Sequence, residues 1–342
     1  MTARARLAST GLFLSAAFAA LLSSPPVAAA DGLPVVGIDA RPVSAPEGRL
    51  AYVTRRAGRD TALEVLDADS ERRLRRVLLP GRLSVPAIAY DATPSGLSPD
   101  GRRLVLIAPR RSFPRAYTSF VIVDTQRLRI RRTVRLKDDF SFDAISPDGR
   151  TMYLIHYPSP NDILRYEVRA YDLRANRLLP DPIVDPREPD ERMSGLPVTR
   201  ATSADGRWEY TLYNGSEYPF IHALDTERRR AFCIDLEGLA GGGGGGLWGS
   251  KLELGGGGGS LSVVAGNRPL ASVDTKTFRV SMPRPAGEKP VSTARQPDAR
   301  SAAGDAGVPW LLVLLPTLVL GGAGAALAAR GRVRSRLPGA SA

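Results

Sequence analysis

A short unit recurs along the chain and limits its fold more than any other feature. It reads Ser-Pro-Asp-Gly-Arg followed by an apolar run, at residues 98–107 and again at 146–155. A third copy at 203–210 has Ala204 in place of the proline, and a worn copy lies at 45–53. Proline presets φ and glycine supplies the positive φ of a tight turn, so each copy reads as strand, turn, strand. The turn glycines Gly48, Gly101, Gly149 and Gly206 are 53, 48 and 57 residues apart.

A second mark follows each turn unit. It is an alternating apolar run ending in Asp, at 63–67, 120–125, 168–172, 221–226 and 270–275. Its aspartates, Asp67, Asp124, Asp172, Asp225 and Asp274, are 57, 48, 53 and 49 apart. Two independent markers thus agree on five units of similar length. The fifth unit has glycines 255–259 where the others have Pro-Asp-Gly. A fixed period of this size, filled with short alternating strands, predicts an all-β chain: a β-propeller of about five four-stranded blades. Strand a precedes the turn glycine, strand b follows it, strand c ends at the Asp, and strand d comes next, as at 127–134. Five such units fill residues 33–283; a sixth would make every blade shorter than the shortest spacing seen. The ring is expected to be closed or nearly so.

Ser-Pro-Asp-Gly-Arg with an apolar strand, then Val-x-Asp-Thr, resembles the repeats of TolB-type translocation proteins, YVTN-type surface-layer propellers and lactonase-like propellers. The resemblance covers roughly residues 33–283. It implies the propeller fold and says little of function, because these families share turns and not active sites. Members commonly carry six or seven blades, where five are visible here.

The two ends read as membrane elements. Residues 1–30 have a basic start at Arg4 and Arg6, an apolar run at 12–22 and small residues at 28–30, the pattern of a signal peptide cleaved after Ala30. No cysteine follows that run, so no lipoprotein anchor is expected. Residues 308–329 are 22 residues without a charge, long enough at about 1.5 Å per residue to span a hydrocarbon core of ~30 Å as a transmembrane helix. Trp310 stands at one edge, and Arg330, Arg332, Arg334 and Arg336 follow, which assigns the tail 330–342 to the cytoplasm. Residues 284–307, rich in Pro, Ala, Gly and Ser, read as a stalk. The expected protein is single-pass type I in the cell membrane, with residues 31–283 as an extracytoplasmic propeller. Half of the net charge of +12 lies in the signal and the tail. The rest follows no helix or stripe, so nucleic acid is not an expected partner.

Little in the chain points to catalysis. Cys233 is the only cysteine, which rules out an internal disulfide, and its strand setting reads as a small buried residue. The two histidines, His156 and His222, are not at metal-ligand spacing. No Gly-x-Ser-x-Gly elbow or EF-hand loop occurs. The glycine tracts 241–246 and 255–259 lack the Gly-Lys-Ser/Thr of a phosphate loop and read as low-complexity loops. No cofactor is expected. An axial metal held by one residue from each of several blades would be scattered in sequence. Asn161, Asp162, Asn214 and Glu217 are of the type such a site uses, but exposed loop polarity is the favoured explanation for them.

Antiparallel order puts the a–b and c–d turns on one rim and the b–c and d–a connections on the other. The short, constant turns are all on the first rim. The second gathers the long segments 109–118, 156–165, 213–219, the proline-rich 180–197 and the glycine tracts, with aromatics beside charge in the b–c loops. The candidate partner-binding residues are Phe113, Arg115, Tyr117, His156, Tyr157, Tyr213, Glu217 and Tyr218. The favoured function is a non-enzymatic binding or scaffolding module for an envelope protein or glycan. The alternative is an extracytoplasmic hydrolase with a lactonase-like axial metal.

Overall fold

The computed structural model describes residues 41–283, apart from 191, 216 and 241–246. The expected signal peptide, stalk, transmembrane helix and tail lie outside the described residues. So does the first glycine tract. All described residues belong to one compact unit.

The described chain forms five antiparallel sheets, each a meander of consecutive strands. The first holds β1 (Val43–Ser44), β2 (Leu50–Ala57), β3 (Asp60–Asp67) and β4 (Arg73–Leu79). The second holds β5 (Arg103–Ile107), β6 (Tyr117–Asp124) and β7 (Arg129–Lys137). The third holds β8 (Phe140–Ile145), β9 (Thr151–His156), β10 (Glu167–Asp172) and β11 (Arg177–Ile183). The fourth holds β12 (Leu196–Thr202), β13 (Trp208–Asn214), β14 (Phe220–Asp225) and β15 (Arg230–Asp235). The fifth holds β16 (Ser250–Leu254), β17 (Ser260–Ala265), β18 (Arg268–Asp274) and β19 (Val280–Ser281). The helical content among these residues is one 3₁₀ turn, Glu237–Leu239, and no helix there is long and apolar enough to cross a membrane.

The repeated residues are the chemistry of the turns. Ser98 Oγ donates to Asp100 Oδ1 at 2.5 Å and accepts the Arg103 N–H at 3.0 Å, while Asp100 accepts the Arg102 N–H at 3.0 Å. Ser146 with Asp148 and Ser203 with Asp205 repeat this set. The threonine after the strand-c Asp reaches back to the turn glycine. Thr125 Oγ1 donates to the Gly101 carbonyl at 2.6 Å, Thr226 to Gly206 at 3.1 Å and Thr275 to Gly258 at 2.6 Å. The second glycine tract is therefore the a–b turn of the fifth sheet, with Gly257 and Gly258 at φ +86° and +72°, and it lies on the first rim rather than on the second as expected.

Apolar interfaces join successive sheets, as blades of a propeller do. Strand alternation sends Val121 and Val123 of β6 toward the first sheet, and Phe120 and Ile122 toward the third. Tyr153 and Ile155 meet Tyr213 and Leu224 between the third and fourth sheets. Leu212 and Ile221 meet Leu261 and Val263 between the fourth and fifth.

Two expectations are corrected. The array is open: among the described residues no strand of the fifth sheet pairs with the first, and no buried apolar cluster joins them. Glu253, Ser262, Ser272 and Ser281 are cross-strand neighbours on the side of the fifth sheet turned from the fourth, and they offer no apolar area to bury. On the face of the first sheet turned from the second, Arg55, Arg73 and Arg76 gather on the Glu64 carboxylate beside a small buried apolar cluster of Ala51, Val53 and Leu66. The second correction is that the second sheet has three named strands. Isolated bridges Leu97↔Leu104 and Ser84↔Ile107 hold the place of its inner strand. Pro86 and Pro94 cannot donate to a ladder there. The chain between them leaves as a hairpin, bridged at Ala87↔Pro94, whose tip reaches the fourth sheet. The N–H of Tyr90 donates to the Pro197 carbonyl at 3.0 Å, and Thr199 Oγ1 donates to Asp91 Oδ2 at 2.7 Å.

Candidate functional site

A groove opens on the second rim between the third and fourth sheets. A cavity of about 380 Å³ adjoins one of about 190 Å³, and Arg192, Met193 and Cys233 line both. Its walls are the β9–β10 loop, the β13–β14 loop and the β11–β12 connection. These are b–c loops and a d–a connection, the segments assigned to this rim by strand order.

Local sequence shapes the groove. Pro180 and Pro182 are tolerated in β11 because that strand is the outer edge of its sheet. The chain beyond it is fastened to β15 by two side chains. Asp185 accepts the Cys233 N–H at 2.9 Å, and Arg187 Nη2 donates to the Cys233 carbonyl at 2.7 Å. The two pair with each other at 2.6 Å. Together they give an edge strand the donor and acceptor that a neighbouring strand would provide. Burial works against the Asp185 charge, yet the bonds from Arg187 and the Cys233 amide hold its carboxyl below the ordinary range.

Behind the groove runs a row of polar side chains across the fourth sheet. Strand register sets Arg200 of β12 opposite Thr211 of β13, Thr211 opposite His222 of β14, and His222 opposite Cys233 of β15. Arg200 Nε donates to Thr211 Oγ1 at 2.8 Å, and its Nη2 bonds the Asp143 carboxylate of β8. Burial pushes the His222 imidazole down to about 4. Burial likewise lifts neighbouring Glu209 to about 7, against the pull of Arg200. Asp143 Oδ2 and His222 Nε2 are buried without a hydrogen-bond partner. The inner strands therefore present an arginine–aspartate pair. Among the described residues no three His, Cys, Asp or Glu side chains gather at metal-binding distance.

The candidate binding residues divide into two sets. Glu217 and Tyr218 line the groove. Tyr117 is 53% exposed, on β6 under the Arg135 guanidinium 4.3 Å from its ring. The others serve the scaffold. Arg115 Nε donates to the buried Asp139 at 3.0 Å beside Arg110, and burial then Arg110 pull its guanidinium down to about 10. Phe113 meets Tyr157 edge-on at 5.8 Å, and Tyr157 and Tyr213 are both buried against Tyr166. His156 stacks on Phe140 at 4.6 Å. Asn161 and Asp162 stand exposed in the β9–β10 loop. Sequence reasoning missed Asp185, His222 and Cys233 as groove residues. The signal was present: 200, 211, 222 and 233 are spaced by eleven, so successive strands bring them level.

On the first rim a shallow cleft of about 1010 Å³ lies between the first and second sheets, floored by Tyr52 and Val65. Its walls are a–b and c–d turns whose carboxylates are occupied by turn bonds.

No protein-family profile and no curated protein matches the chain. Solved structures that resemble it include hydrazine synthase of Kuenenia stuttgartiensis, with TM-score 0.43 and 15% identity over 72% of this chain and 65% of that one. The Swd1 (Cps50) β-propeller domain of Myceliophteria thermophila matches with TM-score 0.44 and 11% identity over 72% and 71%. TolB from Acinetobacter baumannii matches with TM-score 0.39 and 18% identity over 69% of this chain and 52% of its own. The chain spans about half of TolB and just under two thirds of the hydrazine synthase chain. The blade assignment rests on the sheets and their interfaces rather than on these similarities.

Proposed function

We propose that this protein is a membrane-anchored extracytoplasmic binding module that holds an envelope protein or glycan in the groove between the third and fourth sheets. The observation that carries this reading is the groove itself, which long second-rim segments wall on a rigid β scaffold. Its charge favours a cationic protein segment. Glu188, Asp190, Glu217 and Asp235 face it against Arg165 and Arg192, on a chain whose net charge is +12. Burial, then the nearby Glu188 and Glu237, raises the Asp235 pKa, so a bound cation would relieve crowded carboxylates. The membrane anchor is supported by the uncharged run 308–329 and the arginines after it.

Crosslinking and pull-down of the full chain from intact membranes test this. The double variant Glu188→Lys with Asp190→Lys is expected to reduce partner capture at least tenfold. Arg49→Glu on the first rim should leave capture unchanged. Retention by the groove variant together with loss by the first-rim variant would place the docking face on the other rim.

A further inference from the structure

The outer strands of the five sheets differ in charge. β4 carries three arginines, and β7 carries four arginines and a lysine, with no Asp or Glu on either. β11 and β15 each carry one arginine and one aspartate, and β19 carries no charge. β4 and β7 end neighbouring sheets, and the two meet where Arg75 Nη1 donates to the Gln126 carbonyl at 3.0 Å. Basic residues that look dispersed along the chain are thus gathered on one side of the fold. Strand alternation orders them on β7. Arg129, Arg131, Thr133, Arg135 and Lys137 are exposed, whereas Val134 is buried and Ile130 and Leu136 are half-buried. Alternate residues of a strand are about 6.6–6.8 Å apart, so the row runs for roughly 25 Å. Tyr117, the register partner of Lys137, stands at one end with the Arg135 guanidinium 4.3 Å from its ring, and the exposed Asp138 follows. Nearby carboxylates are engaged by other arginines: Glu64 by Arg55, Arg73 and Arg76, and Asp124 by Arg127. Among the described residues no carboxylate forms an ion pair with Arg129, Arg131, Arg135 or Lys137.

We propose that β7, with the arginines of β4 beside it, is a docking track for a linear polyol or glycan chain linked by phosphodiesters. A guanidinium presents paired donors to a phosphate, and successive side chains of the row can meet successive phosphates of an extended chain. Single-stranded nucleic acid would also call for aromatic side chains on which its bases stack. β7 has none, and Arg135 covers one face of the Tyr117 ring. An anionic bilayer presents a plane and takes up apolar side chains. β7 exposes no large apolar residue, although Leu74 and Leu78 are exposed on β4, so vesicles enter the test. The track belongs to the first and second sheets and does not depend on what the groove between the third and fourth sheets binds.

The test holds the full chain in phosphatidylcholine nanodiscs and titrates it with poly(glycerol phosphate), with oligothymidylate and with phosphatidylglycerol vesicles. Poly(glycerol phosphate) is expected to bind more tightly than oligothymidylate. The triple variant Arg129→Glu, Arg131→Glu, Arg135→Glu should weaken that binding at least tenfold. It should also lower the slope of log K against log salt by about 2, since each phosphate contact contributes roughly 0.7 on a single strand. A control with the same change of charge on other sheets, Arg49→Glu, Arg228→Glu, Arg268→Glu, should stay within about threefold of the parent chain. Equal losses in the two triple variants would reduce the effect to net charge and overturn the track. Tighter binding of oligothymidylate overturns it in favour of a nucleic acid, and capture by vesicles without binding of poly(glycerol phosphate) overturns it in favour of a lipid surface. If the β7 triple variant does not fold by circular dichroism, Arg131→Gln with Lys137→Gln replaces it. At least a threefold loss then supports the track, and a smaller one overturns it.

Discussion

Tyr157 shows how a side chain's neighbours decide its role. As a residue type in a rim loop it resembles an interface anchor. In the fold it is 7% exposed, edge-on to Phe113 and Tyr166, with the Arg110 guanidinium 5.1 Å from its ring. Tyr157→Ala is therefore expected to cost ~3 kcal/mol, the range for emptying a buried aromatic site. Tyr117→Ala should change stability by less than about 0.5 kcal/mol, as exposed substitutions do. Urea unfolding of both variants checks this, and equal losses would mean that Tyr157 is not packed as described. The turn residues behave oppositely. Ser98 and Asp100 act within their own turn, where near neighbours in sequence supply their partners. Their roles were legible from the motif alone.

At the scale of elements, the fourth sheet carries two buried titrating groups with opposed effects. Glu209, raised from 4.5 to about 7, contributes stability fully present below about pH 4.5 and lost as pH rises through 7. His222, lowered from 6.5 to about 4, contributes stability present above pH 6.5 and lost as pH falls toward 4. Between those limits the two largely cancel. Glu209→Gln should leave stability rising with pH from about 4 to 6.5, and His222→Gln should leave it falling from about 4.5 to 7. Each slope is worth on the order of 3 kcal/mol in total. Denaturant melts across pH measure both, and slopes of like sign in the two variants would contradict the assignment. The Asp185–Arg187 fastening makes a second prediction. Asp185→Ala strips Cys233 N–H and Arg187 of their acceptor, and should cost ~2 kcal/mol. Hydrogen exchange should rise across residues 184–190 and at Cys233, and unchanged protection would remove the fastening role.

For the whole molecule, the open array raises the question of what holds the first and second sheets to the rest. The hairpin from the second sheet to β12 supplies one answer, tying sheets that are not neighbours in the array. Thr199→Val with Asp91→Ala should lower the melting temperature while leaving circular dichroism β-rich, because the tie joins blades and forms none of them. The proposed membrane topology belongs to this scale too. Protease added to intact cells is expected to remove the chain before residue 308 and to spare the tail. Protection of the propeller region would reverse the orientation.

The repeat was readable because turn chemistry is local. Asp67, Asp124, Asp172, Asp225 and Asp274 each end a strand c, where periodicity placed them. Strand alternation likewise assigned which connections share a rim, since it follows from antiparallel order. Three things were decided only by tertiary structure. Pro86 and Pro94 forbid a regular inner strand in the second sheet, but that the displaced hairpin would meet β12 depends on the space between blades. That no strand of the fifth sheet pairs with the first among the described residues concerns two sheets far apart in sequence, which no local pattern could show. Cys233 and His222 share a cavity because the β11–β12 connection, pinned by Asp185, leaves a gap between blades there. Bonds within a few residues can be read along the chain, whereas burial and cavities depend on what the rest of the molecule brings alongside.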